Sequence, residues 1–241
     1  MKKIVAVIPA RYQSSRFPGK PLAMIDGKTM IQRVYEQVKQ VDKISKVIVA
    51  TDDERICNVV KQFQGEVVMT GNCSCGTERV YEATKDYSCD IVINVQGDEP
   101  LIKPDMVDEL VDVFDDDNVT MATLCKEMKE VADIDNPNIV KVIRDKNDNA
   151  LYFSRYSIPF NRDVRSDLKY YKHIGIYGYK KDFLKRYVEM EKTSLELAEN
   201  LEQLRVLENG YKIKVKETMY DSIGVDTPED ILKIEKEIKY M

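Results

Sequence analysis

The stretch Ile4-Val5-Ala6-Val7-Ile8-Pro9-Ala10-Arg11-Tyr12-Gln13-Ser14-Ser15-Arg16-Phe17-Pro18-Gly19-Lys20-Pro21 decides the fold. Its first part is an unbroken apolar run rich in β-branched residues, the pattern of a strand covered on both faces within a parallel sheet. Comparable runs recur at 47–50, 67–69, 91–95 and 119–124. Amphipathic helical patterns near 29–40, 53–63, 77–87 and 105–114 separate them, the last opening on Pro104, where a helix tolerates proline best. This alternation predicts an α/β fold, a mostly parallel sheet flanked by helices. Residues 139–183 read as further strands with an irregular loop over 161–169, and 194–209 reads as helical. The segment Thr227-Pro228-Glu229-Asp230 predicts the start of a last helix, with a hydroxyl at the N-cap and acids in the first turn. No linker or repeat divides the chain, so 1–241 reads as a single domain in which 139–215 is an α+β insertion covering the ligand edge.

Ligands of such sheets collect beyond the carboxyl ends of the strands, so the residues that follow each strand carry the chemistry. The loop after the first run holds Arg11, Arg16 and Lys20 with Ser14, Ser15 and Gly19, stiffened by prolines. Forked guanidinium donors, a compact ammonium and hydroxyls suit a polyphosphate. The loop is neither a Walker A motif nor a G-x-G-x-x-G turn. After the run at 91–95 comes Gln96-Gly97-Asp98-Glu99-Pro100, which brings an acid to the same edge. An acid beside a phosphate site points to Mg²⁺, which takes one or two carboxylates plus phosphate oxygens and water. Asp226, in Gly224-Val225-Asp226-Thr227-Pro228, is the candidate second carboxylate.

Composition narrows the remaining options. Among 241 residues, 37 Lys and Arg face 42 Asp and Glu, a net charge of −5 that argues against a nucleic-acid-coating protein. The charge is uneven: residues 1–25 hold five basic groups and no acid, leaving 32 basic against 42 acidic groups in the rest. One histidine, His173, excludes a His-rich zinc site. Five scattered cysteines without a signal peptide read as reduced and cytoplasmic, and no apolar run is long enough for membrane insertion. Cys73 and Cys75 form a C-x-C pair with no second pair to complete a metal set, and Asp115-Asp116-Asp117-Asn118 reads as a helix-to-strand turn.

Longer motifs extend these readings. Val7 to Leu22, Thr51-Asp52-Asp53, Gly76-Thr77-Glu78-Arg79, Asn94 to Pro100, Asn136-Pro137-Asn138, Ala150 to Arg155, His173 to Tyr179, Leu201 to Arg205 and Gly224 to Asp230 together resemble the 3-deoxy-manno-octulosonate (Kdo) cytidylyltransferase family, the CMP-Kdo synthetases. The resemblance runs from end to end. It implies a Rossmann-like nucleotidyltransferase sheet, usually in a homodimer to which the insertion contributes. It implies that Ala10, Arg11, Ser15, Arg16, Lys20, Cys75, Gly76 and Thr77 surround CTP, and that Asp98 and Asp226 bind Mg²⁺. Lys20, Arg16, Asp98 and Asp226 then carry catalysis, while Arg79, Gln96, Arg155, His173, Tyr177, Glu202 and Gln203 surround the sugar acid.

The implied reaction is in-line attack by the sugar's anomeric hydroxyl on the α-phosphate of CTP, with loss of pyrophosphate and no covalent enzyme intermediate. The product, CMP-Kdo, feeds cell-surface polysaccharide or lipopolysaccharide synthesis. Two positions depart from the family pattern: Cys75 stands where serine is usual, and Phe160 where an indole is common. Two alternatives remain open. One is a cytidylyltransferase for another sugar acid, such as 8-amino-Kdo or a nonulosonate, and the other is a non-catalytic nucleotide-binding protein.

Overall fold

The computed structural model describes residues 2–13 and 17–239, and these form a mostly parallel sheet flanked by helices. The chain divides into two compact units. Unit 1 comprises residues 1–108 and 221–241, and unit 2 comprises residues 109–220. The segment 139–215 lies wholly within unit 2, which also takes in the strand that precedes it.

In unit 1, strands β1 (Ile4–Ala10), β4 (Lys46–Thr51), β5 (Val67–Met69) and β6 (Ile91–Asn94) lie in the order β6-β1-β4-β5, all parallel. Every residue from Ile4 to Ile8 and from Ile91 to Asn94 is buried, as the unbroken apolar runs require. Helices α1 (Met30–Val38), α2 (Glu54–Gln62) and α3 (Gly76–Thr84) connect these strands. A short hairpin, β2 (Met24–Ile25) and β3 (Lys28–Thr29), precedes α1. The register sets Ala10 opposite Thr51 and Val7 opposite Asn94, so β1, β4 and β6 release their chains at one edge. The loops after all three strands therefore open where α/β sheets collect ligands.

The last helix, α9 (Pro228–Lys239), returns to unit 1. Ile25, Met30, Leu101, Val225 and Ile234 form one buried cluster, with Phe17, Ile231 and Ile238 packed against it. This apolar anchor fixes the residues just before α9. The Thr227 hydroxyl caps in a different sense from the one expected: it donates to Asp230, whose carboxylate also accepts the backbone N–H groups of Asp226 and Thr227. Lys233 foremost, with these donors, holds the Asp230 carboxyl down to about 2.

In unit 2, β11 (Lys214–Glu217) runs parallel to β7 (Met121–Met128), β7 is antiparallel to β10 (Tyr170–Lys180), and β8 (Lys141–Arg144) is antiparallel to both β10 and β9 (Ala150–Ser154). The helix expected over 194–209 is two pieces, α7 (Ser194–Glu199) and α8 (Leu204–Glu208). Asn200 divides them because it adopts a left-handed conformation, φ 52°, which ends a helix as a C-cap. The strand expected at 119–124 begins at Met121, since Val119 still bonds back to Asp116 in the preceding turn. Among the described residues no helix is long and apolar enough to cross a membrane.

Candidate active site

The basic loop after β1 is held from two sides. The guanidinium of Arg55, the second residue of α2, lies over the Tyr12 ring at 3.2 Å from its centroid. On the other side Gly19 donates its N–H to the Tyr12 carbonyl at 2.8 Å and adopts φ +74°. A side chain there would sit 3.2 Å from the Tyr12 ring and in a conformation that glycine alone adopts readily. Ala10 is buried at the end of β1 and Arg11 is exposed. Ser15 and Arg16, expected at the triphosphate, lie outside the described residues.

Lys20 follows directly, and its ammonium gathers the acids that the sequence singled out. Nζ lies 2.6 Å from Asp98 Oδ2, donates to the Val225 carbonyl at 2.8 Å, and stands 3.7 Å from Asp226 Oδ1. These partners are 78 and 205 positions away in sequence. The backbone seals the arrangement, because Val225 donates its N–H to the Asp98 carbonyl at 2.9 Å. Gly97 lets the two loops approach: a Cβ on it would be 3.0 Å from the Pro9 carbonyl oxygen. The Lys20 side chain is 15% exposed, against 36% for Asp98 and 53% for Asp226, so the carboxylates face water while the ammonium fills the space between them.

Helix α3 brings its N-terminus to the same edge, where a Cβ on Gly76 would be 3.7 Å from the Pro9 ring. Cys75 is its N-cap, and the thiol accepts the Glu78 N–H at 3.5 Å. Sulfur does here what the usual hydroxyl does, through a longer and weaker bond. Glu78 reaches back to the Ser74 N–H at 2.6 Å, one residue before the cap, and its carboxyl is lowered by Ser74, through the hydroxyl foremost and then this N–H. Thr77 is buried within the first turn.

Arg79, expected at the sugar acid, lies in the first turn of α3. Its guanidinium is fully buried, paired with Asp52 at 2.6 Å and donating to the Thr70 hydroxyl. A buried cation with its own carboxylate ties the ends of β4 and β5 to α3. Sequence reading marked Asp52 only as part of a motif, since a partner 27 positions away carries no local signal. Gln96 is half-buried and donates to the Asn94 side chain at 3.3 Å.

The remaining sugar candidates, Arg155, His173, Tyr177, Glu202 and Gln203, belong to unit 2. His173 Nε2 stands 3.0 Å from the Thr123 hydroxyl, which also lies 2.7 Å from the Ile176 carbonyl. A hydroxyl has one proton, so donation to Ile176 leaves Thr123 accepting from an Nε2–H tautomer. Thr123 thereby closes the irregularity where β10 slips against β7 between Ile174 and Tyr177. The ring meets Phe153 edge-on at 5.0 Å, and burial pushes its pKa down to about 3. His173 is a neutral member of an aromatic row that continues through Tyr177 and Tyr179. Burial, foremost, raises the Tyr177 hydroxyl well above its usual value, so it stays protonated.

Arg155 is steered by backbone oxygens, Nε donating to the Glu199 carbonyl at 2.8 Å and a terminal nitrogen to Pro137 at 3.2 Å. Glu202 is half-buried, whereas Gln203 is 4% exposed and its amide nitrogen has no protein partner. The turn that carries these two residues is braced by a buried Arg205–Glu196 pair, with Nε 2.7 Å from Oε2 and a second nitrogen on the other oxygen. Lys141, fully buried, donates to the carbonyls of Asn136, Ile139 and Arg155. Sequence reading assigned no role to Lys141, Thr123 or Glu196, since only their burial distinguishes them from surface polar residues.

A cytidylyltransferase family profile matches residues 5–214. The chain belongs to the cytidylyltransferase family. Among cytidylyltransferases, it is 50% identical to the 3-deoxy-manno-octulosonate cytidylyltransferase of Pelobacter propionicus over 95% of each chain. It is likewise 50% identical to that of Geotalea uraniireducens, over 98% of this chain and 99% of the relative. A solved CMP:2-keto-3-deoxy-manno-octonic acid synthetase complexed with CTP superposes with a TM-score of 0.95 at 43% identity, covering 99% of both chains. A 4-diphosphocytidyl-2C-methyl-D-erythritol synthase from Anaerococcus prevotii shares the fold, with a TM-score of 0.66 at 17% identity.

Proposed function

We propose that this chain transfers CMP from CTP to the anomeric hydroxyl of 3-deoxy-D-manno-octulosonate, releasing pyrophosphate and supplying CMP-Kdo for cell-surface polysaccharide or lipopolysaccharide synthesis. The observation that carries the reading is the convergence of Lys20, Asp98 and Asp226 at the carboxyl edge of β1 and β6, in a chain half identical to proteins of that name. It acts on this reading as a cytoplasmic homodimer that takes CTP and an acidic sugar.

The donor set fits Mg²⁺. Two water-facing carboxylates converge on one cation, and among the described residues no third acid, cysteine or histidine joins them. Such a site leaves most positions to phosphate oxygens and water, as magnesium prefers. Bound there, Mg²⁺ supplies charge neutralisation at the phosphates and lowers the pKa of a nearby hydroxyl. Asp98 and Asp226 would hold it, and Lys20 would supply a point charge to the triphosphate. The first-turn N–H groups of α3, at Gly76 and Thr77, present donors to an anionic nucleotide. In unit 2, Arg155 suits the sugar carboxylate, and Tyr177, Glu202 and Gln203 suit its hydroxyls. Rate enhancement then comes from placing two anions in line and stabilising charge on the leaving pyrophosphate. A neutral His173 agrees with a reaction that uses no histidine base.

The test is pyrophosphate release from CTP and Mg²⁺ with a panel of Kdo, 8-amino-Kdo and nonulosonates, the CMP-sugar being identified by mass. Preferred turnover of Kdo is the expected result. Turnover of a different acid in preference to Kdo overturns the acceptor assignment, and no turnover with any acid overturns the enzyme reading.

A further inference from the structure

Lys20 occupies the point on which both acids converge. Its ammonium lies 2.6 Å from Asp98 and 3.7 Å from Asp226 and is fixed by the Val225 carbonyl at 2.8 Å. We propose that Lys20 is a built-in placeholder cation: in the nucleotide-free protein its ammonium holds the Asp98–Asp226 site against divalent ions, and CTP binding draws it away and opens the site to metal. The proposal rests on the reading of Asp98 and Asp226 as metal-binding residues, and it adds an order of events to that reading.

Three physical points support it. The first is charge: two carboxylates face one ammonium that is itself mostly shielded, so the chain itself compensates half of their negative charge. The second is competition. Magnesium sheds its hydration water reluctantly, whereas the tethered ammonium is already seated and hydrogen-bonded to a main-chain oxygen. The third is exchange, since lysine is a flexible point charge that serves carboxylate and phosphate oxygens alike. A triphosphate beside the loop that carries Lys20 offers the ammonium a stronger anion, and the freed carboxylates then accept the metal. By thermodynamic linkage the coupling is reciprocal, so metal and nucleotide each tighten the other through Lys20.

Mn²⁺, read by the paramagnetic resonance signal of the free ion, is the probe, titrated into nucleotide-free protein. Lys20→Met is expected to bind Mn²⁺ at least about tenfold more tightly than the unsubstituted chain, ~1.4 kcal/mol. Adding Asp98→Asn to Lys20→Met is expected to abolish the gain. An unchanged Mn²⁺ affinity in Lys20→Met, or a gain that survives Asp98→Asn, overturns the placeholder. If Lys20→Met does not fold, by circular dichroism, Lys20→Gln carries the same comparison, because its amide can still donate to Val225. A parallel titration with CTP present separates the two ideas. Asp98-dependent Mn²⁺ uptake there, together with an unchanged Lys20→Met affinity without nucleotide, overturns the placeholder and leaves the metal site standing. No Asp98-dependent uptake in either condition overturns both.

Discussion

Lys20 in unit 1 and Lys141 in unit 2 are both lysines drawn out of water, and their surroundings are opposite in kind. Lys141 is fully buried and donates to three main-chain carbonyls, at 2.9, 2.7 and 2.6 Å. Its hydrogen-bond partners are neutral and belong to the backbone; burial, foremost, lowers its pKa and the carbonyls hold it in place. Lys20 has one carbonyl and two carboxylates, and those carboxylates keep contact with solvent. One ammonium is a rivet and the other is a movable ion. Burial alone does not separate the two lysines; on the proposed reading, an exchangeable, charged partner set open to water does.

The same contrast separates the chain's arginines. Arg79 and Arg205 are buried against single carboxylates, Asp52 and Glu196. Arg155 is oriented by carbonyl oxygens, leaving its positive charge uncompensated by the bonds that steer it.

Four substitutions or conditions press on this contrast, in falling order of effect. Asp98→Asn removes charge from the movable-ion site. Turnover is expected to fall at least about a hundredfold, the scale of losing one preorganised transition-state contact, while thermal unfolding shifts little. Initial rates and a melting curve on the same preparation check both halves; a large loss of stability would move Asp98 into the structural class. Glu196→Gln does the reverse. Leaving Arg205 buried without its carboxylate is expected to cost roughly 3–5 kcal/mol in urea unfolding, with CTP affinity retained below the lowered transition. A loss below about 1 kcal/mol, the range of exposed pairs, would place this pair with the surface ones.

Acid is expected to act through His173. Its folded pKa lies near 3, below the ordinary 6.5, so the unfolded chain takes up a proton that the folded chain refuses. Stability from this group is complete above pH 6.5 and is lost as pH falls from there toward 3. His173→Gln, whose amide can donate to Thr123 and does not titrate in this range, is expected to flatten that part of the stability profile, measured by urea midpoints from pH 4 to 7. An unaltered profile would show that the ring is solvated. Cys75→Ser is the mildest change. A hydroxyl cap on α3 replaces the 3.5 Å thiol contact and is expected to raise stability by a few tenths to ~1 kcal/mol. A drop in melting temperature would mean that the sulfur is held by packing in preference to capping.

Much of unit 1 was legible in the sequence because its strands are buried on both faces. Such strands advertise themselves as runs like Ile4 to Ile8 and Ile91 to Val95, and the loops that follow them carry the chemistry. Lys20, Asp98 and Asp226 were singled out that way, and the structure brings them together. The sign of their arrangement was not legible, because nothing in the local spacing says that an ammonium from one loop lies between two acids from others. In unit 2 the antiparallel strands mix half-buried and exposed positions, and the helical pattern over 194–209 hid the break at Asn200. The burial of Arg79 against Asp52 is likewise a tertiary fact that no window of sequence contains.

The bond between Lys20 and the Val225 carbonyl spans 205 positions, and unit 1 is completed only by residues 221–241. A ribosome therefore emits the phosphate-side loop first and one half of the acidic pair early, then must translate through all of unit 2 before the other half emerges. Contacts of such long sequence separation close last. A nascent chain, or one cut short by a stop codon ahead of Asp226, lacks the second acid of the proposed metal site, so on that reading chemical competence waits until the residues that complete unit 1 have been made.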